Sequence, residues 1–326
     1  MQTPLAYLFR RLSQALPMAF AVVLLNFVLL KLTPGDLVDV MAGESGSATP
    51  EYMESLRKLY GLDVPAPLQF LHYIENIACF NLGYSFRLNA PVFDLILDRL
   101  PATLLLSLTA IAMALLVGIV FGAVAARFRG TVADEAISVV STIGFATPLF
   151  WVGLMLIVGF SVKLRWLPSS GLSTVGAIYA DNLALVRDIG QHLVLPALTL
   201  SLFFVSIYIR ITRSAMLEVY GLDFVRTARA KGISETRVVV RHVLRNALLP
   251  IVTITGLQVG AIFGGTVVIE TVFGWPGLGR LAYEAVTSRD VNLLLGIFLC
   301  SSLIVIVTNL AVDLAYALLD PRVEIR

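Results

Sequence analysis

The side chains that could make or break bonds are few and scattered. His72, His192 and His242 are the three histidines, far apart along the chain, and each reads as a polar residue at the end of an apolar segment. Cys79 lies in a polar region and Cys300 in an apolar run, with no C-x-x-C spacing, so neither zinc nor redox chemistry is indicated. The sequence holds no G-x-x-x-x-G-K-[ST] phosphate loop, no H-E-x-x-H and no G-x-S-x-G. We therefore expect no catalytic residues and no metal site. Glu270, Asp313, Asn26, Gln258 and Asn309 are the polar residues inside apolar runs. Ion-coupled carriers keep ionisable groups near the bilayer midplane. Glu270 and Asp313 instead fall toward the ends of their runs, which is a poor arrangement for a proton relay.

One stretch concentrates charge: DFVRTARAKGISETRVVVRHVLRNALLP, residues 223–250, with six Lys or Arg residues. Residues 223–231 can form a short helix and Gly232 permits a turn. Ser234 can cap a second helix with Glu235 in its first turn. Arg237, Arg241 and Arg245 would then form an i, i+4, i+8 stripe. Such a helix–turn–helix could sit in a groove of another protein. A basic interfacial helix on anionic lipid is the other reading.

The elements that position this stretch follow from composition. The chain has 326 residues, 58% of them hydrophobic and 14% charged, against roughly 25% charged in soluble domains. The apolar residues fall into six runs, near 10–31, 100–126, 135–163, 192–213, 247–270 and 292–319. At about 1.5 Å per residue each can cross a hydrocarbon core of about 30 Å as a helix, the form that satisfies its own backbone in lipid. We expect an all-α integral membrane protein with six transmembrane helices. The first run is too long for a cleaved signal and lacks a small-residue cleavage site, so it reads as a retained helix.

The N-terminus, 127–134, 210–246 and the C-terminus together carry fourteen Lys and Arg, and the alternate segments carry ten. This bias places both termini in the cytoplasm. Three regions follow: the cytoplasmic N-terminus and helix 1 over 1–31, a periplasmic segment over 32–99, and a five-helix core over 100–326 with a cytoplasmic loop at 214–246. In the outer segment, Thr49-Pro50-Glu51 starts a helix that Gly61 ends, with Met53, Leu56 and Tyr60 on one face. A second helix over 67–78 presents Leu68, Leu71, Ile74 and Ala78. A further short helical stretch is expected near 175–189. Trp166 and Trp275 are expected at the lipid headgroups.

Small residues recur every four positions at Ala110, Ala114, Gly118, Gly122 and Ala126, and again at Gly256, Gly260 and Gly264. This spacing lets helix backbones approach closely, within one subunit or between two. Pro148 and Pro196 are expected to kink their helices.

TARAKG at 227–232 followed by RHVLRNALLP at 241–250 resembles the cytoplasmic EAA loop of ABC importer permeases, in their peptide/nickel branch. LTPGDLVDV (32–40), RLPATLLLSLTA (99–110), TPLFWVGLMLI (147–157), WLPSSG (166–171), HLVLPALTLSL (192–202), RITRSAML (210–217), VFGWPGLGRL (272–281) and NLAVDLAYALLDPR (309–322) resemble that branch in the same order. Arg226 and Thr227 stand where a glutamate and the first alanine are usual, while Ala228 and Gly232 keep the second alanine and the glycine. The resemblance implies a type I ABC importer transmembrane fold in the bacterial inner membrane. It implies a coupling helix at about 221–231, with Asp223, Phe224, Arg226, Thr227, Ala228, Arg229, Lys231 and Gly232 facing an ATPase cleft. The implied partners are a second, related permease subunit, two cytoplasmic ATPase subunits that hold ATP and Mg, a periplasmic solute-binding protein and membrane lipid, but no nucleic acid. This chain would hold no cofactor and act as a transport subunit for peptides or a similar small solute. An ion-coupled secondary transporter and a membrane enzyme are the rival classes. The residues that bind solute are not identified by sequence.

Overall fold

The computed structural model describes residues 4–32, 49–59 and 63–319. Among these the regular structure is helical apart from one hairpin, β1 (Tyr84–Ser85) antiparallel to β2 (Ala90–Pro91). The helices are α1 (Pro4–Leu32), α2 (Pro50–Leu59), α3 (Ala66–Ala78), α4 (Val92–Arg127), α5 (Val132–Ala146) and α6 (Leu149–Leu156), which continues as a π-helix over Ile157–Lys163. They are followed by α7 (Asn182–Tyr220), α8 (Asp223–Ala230), α9 (Glu235–Arg237) with a π-helix over Val238–Leu244, α10 (Arg245–Val272), α11 (Leu278–Ser288) and α12 (Val291–Leu319). Within α1, α4, α7 and α12 lie four segments long and apolar enough to cross a membrane, and two bent pairs raise the number to six if each is one span.

The chain divides by packing into two compact units. Residues 1–100 and 281–326 form one, and 101–280 form the other. In the first, α1 packs along α12. α3 lies on α1 through aromatic rings: Phe70 is 5.2 Å from Phe27 and 5.8 Å from Phe20, and Tyr73 is 5.7 Å from Phe27. Burial pushes the Tyr73 phenol up to about 12. The apolar side of Leu68, Leu71, Ile74 and Ala78 is largely exposed. Large rings remove more apolar area from water than leucines do, and they decide which side turns inward. Asp290 opens α12: its carboxylate accepts the Leu293 amide at 3.0 Å and a hydroxyl bond from Ser85. In α2 the Thr49 hydroxyl accepts the Tyr52 amide at 3.3 Å. Tyr60, Gly61 and the Leu56 side chain lie outside the described residues.

In the second unit α7 is the central post, and α4, α5, α6 and α10 lie on it. The small-residue stripe of α4 meets α7 at Gly118 and Gly122. A Cβ on Gly118 would fall into Tyr208, and one on Gly122 into Thr212 and the Ile209 carbonyl. Ala114 is fully buried in the same core with Leu106, Ala110, Leu200 and Ile251. Gly256 is buried, whereas Gly260 and Gly264 lie outside the described side chains.

Two expected elements differ. The third run bends at Pro148 as expected, but so sharply that it forms two helices: α5 and α6 meet at 102°. Pro148 has no amide hydrogen to continue the ladder, and Thr147 before it is extended at φ −82°, ψ 131°. The short helix expected near 175–189 is not separate. Asp181 accepts the Ala184 amide at 2.7 Å and starts α7, which runs unbroken for 39 residues through Gly190 and Pro196.

Candidate functional site

α8 is a two-turn helix with a buried side and an exposed side. Leu222 before it is extended, and Asp223 places a carboxylate in the first turn, where the helix dipole favours it. Val225 and Ala228, three residues apart, are buried. They pack among Met216 and Val219 of α7, Ala126 of α4, and Val238 and Val243 of the second π-helix. Asp223, Phe224, Arg226, Thr227, Arg229, Lys231 and Gly232 are exposed. Phe224 is 41% exposed, a large ring with one side left open on a charged ledge.

The exposed residues divide by what holds them. The Thr227 hydroxyl donates back to the Asp223 carbonyl at 2.9 Å, and Arg226 lies 3.6 Å from the Asp223 carboxylate. Arg229 is committed within the chain: its Nε and Nη2 donate to Glu235 at 3.1 and 2.7 Å, and its guanidinium lies 5.5 Å from the centre of the Tyr220 ring. The Glu235 carboxylate holds the Arg229 guanidinium above its ordinary pKa. Arg229 therefore braces the turn from α8 to α9. Gly232 sits in that turn at φ +74°, and a Cβ there would meet nothing within 4 Å.

Ser234 occupies the expected cap position, but its side chain makes no capping bond. The expected stripe of Arg237, Arg241 and Arg245 is wholly exposed. It is not a regular i, i+4, i+8 row, because Val238–Leu244 has π-helical i→i+5 bonding, which offsets successive turns.

At the other end of α10 lies a second polar cluster. Glu270 is fully buried. Its carboxylate accepts the Thr103 hydroxyl at 2.7 Å and the Arg280 amide at 2.9 Å. Thr103 in turn accepts the Leu278 amide at 2.7 Å. Trp275, expected at the headgroups, is also fully buried, and its indole N–H donates to the Ala102 carbonyl at 2.8 Å. The indole has a partner inside, which removes its reason to sit in water. Trp166 is 68% exposed. A Cβ on Gly277 would fall on the Glu270 carboxylate, and one on Gly279 on the Val267 backbone. The spacing of Gly274, Gly277 and Gly279 after Glu270 was the available sequence signal for this cluster.

Nearby, Asp188 of α7 gathers the preceding loop. Its carboxylate accepts the Thr174 amide and hydroxyl at 2.7 and 2.8 Å and the Tyr179 hydroxyl at 2.7 Å. That last bond raises the Tyr179 pKa. His192 is buried with Nδ1 2.9 Å from the Asp188 carbonyl.

The sequence that builds the α8 ledge and the long apolar helices matches a known family. Residues 118–325 match the family described as "Binding-protein-dependent transport system inner membrane component", and residues 4–109 match its N-terminal counterpart. The chain belongs to this family. It is thus a permease subunit of an ABC importer and a multi-pass inner-membrane protein. The permease is 41% identical over 98% of its length to the di/tripeptide transport system permease protein DppB of Pseudomonas aeruginosa, of which 99% is covered. It is 39% identical over 98% of its length to the oligopeptide transport system permease protein AppB of Bacillus subtilis, again with 99% of the relative covered. Among solved structures, the MetNI methionine ABC transporter in an inward-facing conformation superposes with a TM-score of 0.53. That match has 18% identity and covers 69% of the permease and 96% of the other chain. The likeness extends the family assignment to the fold, that of a type I ABC importer.

Proposed function

We propose that this permease imports di- or oligopeptides, and that α8 is the helix through which ATP hydrolysis on a partner drives it. The observation that carries the substrate class is identity of about 40% along the whole chain to permeases named for peptides. The observation that supports coupling is the form of α8. Two buried side chains, Val225 and Ala228, fix it to α7, while Asp223, Phe224, Arg226, Thr227 and Lys231 point outward. A pushed helix needs both properties, a firm root and a free face.

In this reading the end of the bundle that carries α8 is cytoplasmic, as are both termini, and residues 32–99 lie in the periplasm. A second, related permease subunit completes the pathway. Two ATPase subunits bind ATP and Mg, and a periplasmic binding protein delivers the peptide. This chain holds no nucleotide of its own. Membership of the importer family disfavours an ion-coupled carrier.

The test uses the assembled transporter. Thr227→Cys, in a background with Cys79 and Cys300 changed to serine, is expected to cross-link to an ATPase subunit. Vesicles containing the complex are expected to accumulate labelled dialanine or pentaalanine only with ATP and the binding protein. Accumulation driven by an ion gradient without ATP would overturn the proposal.

A further inference from the structure

α5 presents an anomaly. Of its fifteen residues Asp134 is the buried one, while Val132, Val139, Val140 and Ile143 are between 56% and 81% exposed. A membrane helix can turn valines outward to lipid, but here the one side chain it buries is an acid. Asp134 accepts two parallel bonds from Arg213 of α7, Nε to Oδ1 at 2.7 Å and Nη2 to Oδ2 at 2.8 Å. The Gly130 amide donates to Oδ2 at 3.0 Å. The far end of α5 is held by aromatic contact: Phe145 stacks on Phe203 of α7 at 5.0 Å, and the Arg210 guanidinium lies 5.5 Å from the Phe145 ring centre.

Arg213 also occupies a particular place on α7. Three and six residues on, Met216 and Val219 form the floor on which Val225 and Ala228 of α8 rest. On the other side of the pair, α5 runs to the 102° break at Thr147–Pro148. The pair thus joins the helix carrying α8 to the helix leading into the break. A bidentate guanidinium–carboxylate pair fixes orientation as well as distance, whereas an apolar contact can slide.

We propose that Asp134 and Arg213 are positioning residues for coupling, locking α5 to the α7–α8 ledge so that displacement of α8 reaches the Pro148 break as one rigid movement. The proposal rests on the reading of α8 as the coupling helix. Removing Arg213 strands the buried Asp134 charge, and removing Asp134 leaves a half-buried guanidinium unpaired, so both an isosteric and a charge-conserving variant are needed. Asp134→Asn keeps the shape, and Arg213→Lys keeps the charge but loses the fork.

The experiment places spin labels at Thr142→Cys on α5 and Ala230→Cys on α8, outside the residues read as facing the ATPase, in the assembled complex, with Cys79 and Cys300 replaced by serine. Pulsed dipolar spectroscopy measures the distance with and without Mg-ATP. In the parent, one narrow distance is expected in both states. In Asp134→Asn and Arg213→Lys the same distance is expected without nucleotide, and a second, displaced population with it. A parent distance that shifts with ATP, or variants whose distance does not, overturns the proposal. So does a variant distribution already broadened without ATP, which indicates a structural role alone. Failure of both variants to assemble has the same meaning. The coupling reading is judged separately by cross-linking from Thr227→Cys: if the cross-link forms and the variants behave as the parent, only the positioning role is lost.

Discussion

The two ends of α10 are built on opposite principles. At Glu270 the structure is closed: a buried carboxylate, a threonine that both donates and accepts, a buried tryptophan with its N–H satisfied, and two glycines with no room for a methyl group. At α8 it is open: two buried side chains, one ion pair to Glu235, and a glycine surrounded by empty space. Both regions use glycine, for different reasons. Gly277 and Gly279 are small because neighbouring atoms occupy the space. Gly232 is glycine because of its backbone angle. The first region suits a fixed anchor, and the second suits a surface that must be reached and moved.

The contrast breaks most readily at the closed end. Gly279→Ala drives a methyl group onto the Val267 backbone and should destabilise its unit by about 3 kcal/mol, at the upper end of overpacking costs. Thermal unfolding in detergent should fall by several degrees, and an unchanged midpoint would show that the cluster can yield. At the open end, Gly232→Ala should cost about 1–2 kcal/mol locally, the penalty for a left-handed L-residue. The unfolding midpoint should hold while binding-protein-stimulated ATP hydrolysis parts from peptide uptake. Full transport by this variant would count heavily against a coupling role. The smallest effect is expected at Arg229→Gln. Losing a partly exposed surface ion pair is worth about 0.5 kcal/mol. Faster amide exchange confined to α8 and the following turn would mark the loss, and exchange spreading into α7 would mean that the brace supports more than α8.

Much of this was legible in the sequence. The apolar runs fixed where helices lie, and α8 and its Gly232 turn fall within a residue or two of the expected positions. What could not be read depends on partners distant in the chain. Trp275 resembles a headgroup tryptophan until Ala102, 173 residues away, offers a carbonyl. Arg229 reads as a plain surface cation until Tyr220 and Glu235 are found against it. Asp134 resembles a loop acid until α7 brings Arg213 to it. Periodicity reports which face of a helix is apolar, and it is silent on which polar group a neighbouring helix will supply. The 102° break was half legible, because Pro148 announces an interruption while the angle depends on what α6 packs against.

The empty surroundings of Gly232 have one more consequence. Since φ is +74° and nothing stands within 4 Å, the constraint at this position is one of handedness and not of bulk. A D-alanine placed there by semisynthesis would satisfy the turn as well as glycine does, or better, by narrowing the alternatives open to the unfolded chain. Its mirror image, L-alanine, with the same atoms and the same volume, would not.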